Sequence, residues 1–300
     1  MNFKLTNRYI LTGVLIMKTG LHIGGGKESL ITDSAVIRDA MGQPFIPGSS
    51  FKGVLRSTIE KILPVFTSIP GLWSCQLFNE SDEAKSCLSS TSNQKKLSNL
   101  KKEIGKKVKD SKVLSTEYKE RHLNDIISEQ FILETFLPEN LCDTCKIFGS
   151  PVFGSKIKIQ DLDIREPYFE LSEVRDGVGI DRDTETAVPQ VKFDFEVIPS
   201  KSEFDLKIIL ENVCDKELAI FAIGIKEFVE GNSAIGGLSS RGLGACSLII
   251  DKIEFLDFTN PAHLEKYLIE GKMDGQLSTT DFFNKIKTEL LTPKTGGNNA

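Results

Sequence analysis

The alternation of hydrophobic and polar residues predicts where strands form in this chain. Residues 9–19 are a continuous apolar run rich in β-branched side chains, which is typical of a strand in the middle of a sheet. Three further segments have the pattern of half-buried strands: residues 155–165, 191–197 and 204–210. A turn at residues 199–202 would join the last two segments into an antiparallel hairpin, and residues 246–255 would form a closing strand.

Two segments carry apolar residues at the spacing of a helix. In the first segment, Ser49 or Ser50 would cap the helix, and Lys52 and Arg56 would lie on its polar face. Its apolar positions are Phe51, Val54, Leu55, Thr58, Ile59 and Ile62. The second segment, residues 216–230, has the clearest helical pattern in the chain. The resulting order of strand, helix, strands, helix and strand predicts an α+β fold of the ferredoxin-like (RRM-like) type.

A change in composition divides the predicted fold. Residues 64–140 are rich in Ser, Asn and Lys and have only weak helical patterns, such as residues 118–136, so we interpret them as an insertion. Residues 1–63 and 141–256 would then form the core. Residues 257–300 would be a tail with two weak helical segments, to which the pattern assigns no role.

Composition limits the classes of partner. The 300 residues, 40% of them hydrophobic, are enough for a large domain core. No apolar stretch is long enough to span a bilayer, and residues 1–18 lack the features of a secretory signal, so we expect a cytoplasmic protein without a membrane partner. The net charge of −5 argues mildly against a general binder of phosphate backbones. Residues 93–112 nevertheless contain eight lysines and two acidic residues, which either bind RNA or form a solvated loop.

Two glycine-rich loops are candidate phosphate-binding elements. Gly24, Gly25 and Gly26 would lie near the start of the first helix, where free amides and cations attract anions. The alternative is a plain hairpin loop beside a solvated helix face. The second loop, residues 233–245, contains these candidate donors: Gly236, Gly237, Ser239, Ser240 and Arg241. His22 precedes the first loop and is either a packing residue or an RNA contact.

The six cysteines include two pairs at opposite ends of the insertion. Cys142 and Cys145 form a CxxC motif, and Cys75 and Cys87 lie near the other end. These pairs could bind a zinc ion that holds the base of a poorly packed insertion, with His122 replacing either Cys75 or Cys87. A thioredoxin-like redox role is less favoured, because no strand-to-helix context surrounds the CxxC motif. The remaining two cysteines are expected in the core: Cys214 and Cys246.

A charged, turn-rich segment at residues 171–199 is a candidate protruding hairpin. A loop between two strands is free to leave the core, and apolar Val178 or Ile180 could act as a wedge between stacked bases. The alternative is a surface hairpin without a partner. The other candidate contact residues in this segment are Arg175, Arg182 and Thr184.

These motifs together resemble those of the repeat-associated (RAMP) superfamily, in particular the backbone subunits of type III CRISPR effector complexes. The similar segments read IGGG, VIRD, PFIPGSSFKGVLRS, FGSPVFGSKIKIQDL and GVGIDRDTETA, and the resemblance covers most of residues 8–256. It implies that the first glycine loop and the first helix grip a guide RNA (crRNA). It also implies a structural zinc ion in the insertion, and it implies that the hairpin at residues 171–199 is the thumb of such subunits.

The resemblance further implies catalysis on target RNA. Such subunits stack with neighbouring backbone subunits along the guide RNA, each thumb displaces one base pair, and the target RNA is cut at regular intervals. Asp33 in ITDSAVIRD falls where these subunits carry the cutting aspartate. It would act as a base or hold Mg²⁺ or another divalent metal ion.

Two other functions remain open within the same superfamily. One is a non-catalytic, structural crRNA-binding subunit, and the other is a guide-processing ribonuclease. The second is the less favoured, because the only histidines of the chain do not form a catalytic constellation by sequence context. They are His22, His122 and His263.

Overall fold

The computed structural model describes residues 4–26, 34–66, 69, 72–75, 141–150, 154–166, 172–273 and 275–292, with isolated positions between 98 and 110. The helical segment predicted at residues 118–136 and most of the insertion lie outside these residues. The described strands are β1 (Asn7–Met17), β2 (Phe45–Ile46), β3 (Ile157–Ile159), β4 (Leu162–Asp163), β5 (Glu173–Ile180), β6 (Ala187–Val197), β7 (Glu203–Glu211), β8 (Cys246–Asp257) and β9 (Gly275–Leu277). The described α-helices are α1 (Gly48–Ile62), α2 (Asp143–Phe148), α3 (Asp215–Val229), α4 (Pro261–Glu270) and α5 (Thr279–Ile286).

A five-stranded antiparallel sheet is the centre of the fold. Its strands lie in the order β3, β7, β1, β8, β9, and the middle strand β1 pairs along most of its length with both β7 and β8. Side chains of α1 and α3 share one hydrophobic core with this sheet. The chain therefore forms a mixed α/β domain, and β1, α1, β3, β7, α3 and β8 follow one another in the order that the sequence predicted.

Strand β1 alternates its side chains between the helices and the open face of the sheet. Leu11 and Met17 are fully buried in the core that includes the helices. A bulge between Thr12 and Gly13 shifts the pairing with β8. A Cβ atom on Gly13 would lie 2.3 Å from the carbonyl oxygen of Ile249, so any side chain at this position would push the two strands apart.

Helices α1 and α3 pack against each other through the apolar positions that the helical spacing predicted. Phe51 and Phe228 stack with their ring centroids 4.7 Å apart. Gly224 allows close approach, because a Cβ atom there would lie 2.6 Å from the Leu55 side chain and 2.7 Å from that of Ile59. The predicted apolar face of α1 is thus the face that meets α3.

The residues at the starts of these helices differ from the predictions. Helix α1 begins at Gly48, before both predicted capping residues, Ser49 and Ser50. The Gly48 amide instead donates to Asp161 Oδ1 at 2.8 Å. Cys214, which was expected in the core, is exposed at the position before α3. The partner of the α1 start is distant in sequence, whereas Cys214 leaves the core because it caps α3 together with Glu217, three residues on.

Two predicted strand arrangements were also wrong. β6 does not pair with β7 across residues 199–202; it pairs with β5 in a separate two-stranded antiparallel sheet. Alternation predicted both strands but not their partners, because register is set by contacts between distant segments. The single strand predicted at residues 155–165 is two short strands, of which β3 joins the main sheet and β4 pairs with β2.

The chain after β8 adds to the same core. β9 pairs with β8 and extends the sheet by one strand. In α5, Phe282 is 1% exposed, and its ring centroid lies 6.0 Å from that of Phe221 in α3. Lys285 Nζ lies 2.8 Å from the Asp215 carboxylate at the start of α3. None of the helices described is both long enough and apolar enough to cross a membrane.

Replacing Phe282 by alanine is expected to lower the free energy of unfolding by about 3–5 kcal/mol, the usual cost of removing a buried phenylalanine side chain. The matched control is Phe283→Ala, because Phe283 is only partly buried beside it and its removal leaves a smaller cavity. Urea unfolding of the full chain, followed by circular dichroism, measures both values. Equal losses for the two variants would show that α5 does not belong to the core.

Candidate functional site

His22 joins three segments that are far apart in sequence. Its Nδ1 atom lies 2.7 Å from the carbonyl oxygen of Glu196 at the base of the β5–β6 hairpin. A carbonyl only accepts, so Nδ1 carries the proton and Nε2 is left to accept from Ser34 Oγ at 3.3 Å. The carbonyl oxygen of His22 accepts from the Gly237 amide at 2.8 Å. The residue is 8% exposed, so these contacts form largely out of water.

The first glycine loop pairs with the segment at residues 34–38 (the 34–38 segment). Gly24 forms an antiparallel bridge with Val36, and the Gly25 amide donates to the Ala35 carbonyl oxygen at 3.0 Å. Gly24, Gly25 and Gly26 are exposed, and Gly26 has a φ of +71°, which favours glycine. The loop can therefore be approached closely by a backbone.

The second glycine-rich loop packs directly on the residue that precedes the first. A Cβ atom on Gly236, which has a φ of +89°, would lie 2.3 Å from the His22 carbonyl oxygen. The three following polar candidates, Ser239, Ser240 and Arg241, form an exposed 3₁₀ turn. Arg241 lies over Phe193, with its guanidinium carbon 5.7 Å from the ring centroid. The sequence predicted these loops separately, and the structure brings them together.

A buried carboxylate that the sequence analysis missed lies between these loops and the hairpin. Glu196 Oε2 accepts from the Val36 amide at 2.8 Å, and Oε1 forms an ion pair with Arg38. Its own amide donates to the Ser34 carbonyl oxygen at 2.9 Å. Burial opposes its charge, but hydrogen bonds from Ser172, Arg38 and the Val36 amide hold the pKa of Glu196 below its ordinary value. The only sequence signal was an acid among apolar residues of a predicted strand.

The β5–β6 hairpin presents apolar side chains and an ordered turn. Val178 is 47% exposed and Ile180 is 67% exposed on β5. In the turn, Asp181 Oδ1 accepts from the backbone amide of Thr184 at 2.9 Å and from its hydroxyl at 3.0 Å. These hydrogen bonds lower the pKa of Asp181, and the one from the Thr184 backbone amide has the largest effect. The neighbouring Arg182 is exposed.

Arg175 lies at the base of the hairpin, close to the residues around His22. A Cβ atom on Gly20 would lie 3.5 Å from Arg175 Nη2. The guanidinium also forms an exposed ion pair with Glu173 at 2.9 Å. Asp33, the candidate catalytic residue, lies outside the described residues, which resume at Ser34.

Two cations of α1, Lys52 and Arg56, point toward the chain around α2. Lys52 Nζ donates to Ser155 Oγ at 2.7 Å, and burial, aided by the Arg56 charge, lowers the pKa of Lys52. Arg56 Nη1 donates to the Gly149 carbonyl oxygen at 2.9 Å. Its Nη2 lies 3.3 Å from Cys145 Sγ. Burial disfavours this charge, but the hydrogen bonds that Arg56 donates, first to Glu60 and then to Cys145, raise the pKa of Arg56. Contact of these cations with RNA stays a prediction.

Three of the predicted metal ligands form one buried cluster. The sulfur atoms of Cys75, Cys142 and Cys145 all lie within 4.8 Å of one another, and those of Cys75 and Cys145 are 3.4 Å apart. Thiolates around a tetrahedral zinc ion are about 3.8 Å apart, given zinc–sulfur bonds of about 2.3 Å. The donor set therefore fits a metal ion. Cys87 and His122 lie outside the described residues.

Contacts around α2 hold this cluster together. The Asp143 carboxylate accepts from the Trp73 amide at 3.0 Å and pairs with Lys216 Nζ at 2.9 Å. Ser74 and Thr144 share a hydrogen bond of 2.7 Å between their hydroxyl groups. Cys75 is thereby fixed beside the CxxC motif, although it lies 67 positions before Cys142 in sequence.

Comparisons with known proteins identify relatives of this chain. A protein of Methanocaldococcus jannaschii named CRISPR system Cms endoribonuclease Csm3 is 29% identical over 96% of this chain and 95% of its own length. Proteins of the same name from Methanothermobacter thermautotrophicus and Enterococcus italicus are 44% and 45% identical over 61 and 65 residues. These shorter matches cover 19% and 20% of this chain, and 25% and 29% of those proteins. A family model described as the RAMP superfamily matches residues 15–247, so the chain belongs to the RAMP superfamily.

Proposed function

We propose that this chain is a backbone subunit of a type III CRISPR ribonucleoprotein complex. It binds the backbone of the guide RNA and cleaves complementary target RNA at regular intervals, beside neighbouring copies and other subunits of the complex. The relatives named CRISPR system Cms endoribonuclease Csm3 support a ribonuclease in such a system, since one of them matches nearly the whole chain.

One observation carries the proposal: both glycine-rich loops and the base of the hairpin meet around His22. The exposed glycines allow an RNA backbone to approach the main chain, and Arg241 beside them adds a positive charge. RNA backbone contacts carry little sequence information. Base pairing between guide and target would supply the specificity, as it does in other RNA-guided systems.

The hairpin is proposed to act as the thumb. Its exposed Val178 and Ile180 are suited to enter a base stack, because apolar wedges unstack neighbouring bases at a moderate energetic cost. The displaced target nucleotide would leave its 2′-hydroxyl free to attack the adjacent phosphate. Arg175, Arg182 and Thr184 would contact RNA from the same hairpin.

Asp33 is proposed to take the proton from that 2′-hydroxyl. The new bond joins the 2′-oxygen to phosphorus, the bond from phosphorus to the 5′-oxygen breaks, and the departing 5′-oxygen takes a proton from solvent water. The products are a cyclic 2′,3′-phosphate and a 5′-hydroxyl end. A bound divalent metal ion, such as Mg²⁺, would stabilise the negative charge that develops on the phosphate.

The cysteine cluster is proposed to hold a structural zinc ion. Cys75, Cys142 and Cys145 would provide three ligands, with Cys87 or His122 as the fourth. The zinc ion would cross-link both ends of the insertion to α2. Such a link suits a segment whose composition offers little apolar surface for a core of its own.

Replacing Asp33 by alanine or asparagine is expected to reduce target cleavage about 10²–10⁴-fold, the usual contribution of a positioned base. The complex is assembled with guide RNA, supplied with labelled complementary target and Mg²⁺, and its fragments are resolved on a gel. Asp251→Ala is the control, because Asp251 is an exposed acid whose described ion pair to Arg165 is long, at 3.9 Å.

Regularly spaced fragments that disappear in both Asp33 variants, with target binding retained, would support catalysis by this subunit. If the wild-type complex binds target without cutting it, the subunit is the non-catalytic alternative. Cutting of precursor guide RNA by the isolated chain would instead identify a processing ribonuclease.

Replacing Cys142 by serine is expected to remove zinc from the purified chain and to lower its unfolding temperature. Cys246→Ser is the matched control. Burial raises the pKa of Cys246 to about 12, so this residue stays a thiol and is a poor metal ligand. Inductively coupled plasma mass spectrometry measures the zinc content per chain. If the wild-type chain contains no zinc, or if both variants retain the same amount, the cysteine cluster is not a zinc site.

A further inference from the structure

Each polar atom of Glu196 contacts the 34–38 segment or His22, and its carboxylate also has a hydrogen bond with Ser172. Oε2 accepts from the Val36 amide at 2.8 Å, and the Glu196 amide donates to the Ser34 carbonyl oxygen at 2.9 Å. The Glu196 carbonyl oxygen accepts a hydrogen bond from His22 Nδ1 at 2.7 Å. Glu196 is only 8% exposed, so the surroundings hold its carboxylate in place.

The 34–38 segment lies between the first glycine loop and β6. The amide of Ile37 donates to the Ile23 carbonyl oxygen at 2.8 Å on the loop side. On the other side, Ser34 forms a parallel bridge with Phe195 of β6. At Val36 the acceptor on this side is the Glu196 carboxylate, in the place that a main-chain carbonyl takes in a sheet.

Arg38 extends this contact to the next turn. Its Nη2 pairs with Glu196 Oε1, and its Nη1 donates to the Gly42 carbonyl oxygen at 3.0 Å. The turn itself is closed by Asp39, whose Oδ1 accepts from the Gln43 amide at 2.7 Å. Removing one partner of a partly buried ion pair leaves the other charge without compensation, so the segment would have to rearrange.

We infer that Glu196 is a positioning residue that couples the base of the hairpin to the 34–38 segment, and that target cleavage depends on this coupling. This role of Glu196 in cleavage rests on the proposed function, in which Asp33 is the catalytic base. The 34–38 segment directly follows Asp33 in sequence. RNA that engages the hairpin would thereby also constrain the segment next to the proposed base. Glu196 would thereby affect the rate of cleavage and not the affinity for target RNA.

The first test compares Glu196→Gln with Glu203→Gln in the assembled complex. Glutamine keeps an acceptor for the Val36 amide but loses the ion pair with Arg38. Glu203 is a half-buried acid on β7 that pairs with Arg165 at 3.6 Å, so its variant makes the same chemical change away from the site. At saturating target, the Glu196→Gln complex is expected to cleave about 10–100-fold more slowly, the cost of a small misplacement of reacting groups.

Target affinity should stay at the wild-type value in both variants, and the Glu203→Gln complex should cleave at the wild-type rate. Arg38→Met and the double variant Arg38→Met/Glu196→Gln complete the set. If Glu196 acts through Arg38, the double variant cleaves as slowly as either single variant, because residues in one network are not additive. A wild-type cleavage rate for Glu196→Gln would overturn the inference.

The second test measures the coupling without catalysis. Hydrogen–deuterium exchange of the full chain is expected to become faster in peptides containing Val36 when Glu196 is replaced by alanine, and to stay unchanged for Glu203→Ala. Unchanged exchange in the Glu196→Ala chain would overturn the coupling. Faster exchange in a system whose wild-type complex does not cut RNA would instead reject the proposed function and leave the coupling standing.

Discussion

The candidate site depends on the hydrogen bond between the His22 imidazole and the Glu196 carbonyl oxygen. It lies where both glycine-rich loops meet the hairpin, and these loops expose much of their own main chain. A buried donor or acceptor left without a partner costs about 1–3 kcal/mol. The same imidazole also faces Ser34, and the His22 carbonyl oxygen binds Gly237. One residue therefore links three segments that are far apart in sequence.

Two positive charges of α1 bind the interior of the protein more than its surface. Lys52 and Arg56 donate to the chain around α2, and Arg56 reaches Cys145 of the cysteine cluster. A guanidinium at this position would offset part of the negative charge of metal-bound thiolates, as outer partners of metal ligands commonly do. For a chain of net charge −5, the proposed binding of an RNA backbone would then rest on backbone amides and on loop cations such as Arg241. Such a site recognises the geometry of a phosphate chain more than its total charge.

Local patterns predicted the elements of the fold, and distant contacts decided what the patterns missed. The spacing of apolar residues along β1, α1 and α3 is a local feature of the sequence, so the existence and order of these elements could be predicted from it. The pairing of β6 with β5, the Asp161 contact at the start of α1 and the contacts of Glu196 depend on residues that only the fold brings together. The same holds for the metal cluster: the spacing gave candidate ligands, and packing around Asp143 brought Cys75 to the CxxC motif. The roles assigned to the glycine loops and to Asp33 came from resemblance, because glycine and aspartate alone carry no unique chemistry.

The two-stranded form of the hairpin explains why its base is so strongly connected. An isolated two-stranded ribbon is marginally stable in water, and β5 exposes apolar Val178 and Ile180 toward its end. Its stability must therefore come from the base, where Leu21 bridges Ile198 and Phe195 bridges Ser34. Anchoring at one end leaves the tip free to meet a partner while fixing the direction from which it leaves the core. The 34–38 segment, which anchors the ribbon, also directly follows Asp33 in sequence. The same contacts therefore set both the direction of the hairpin and the position of this segment.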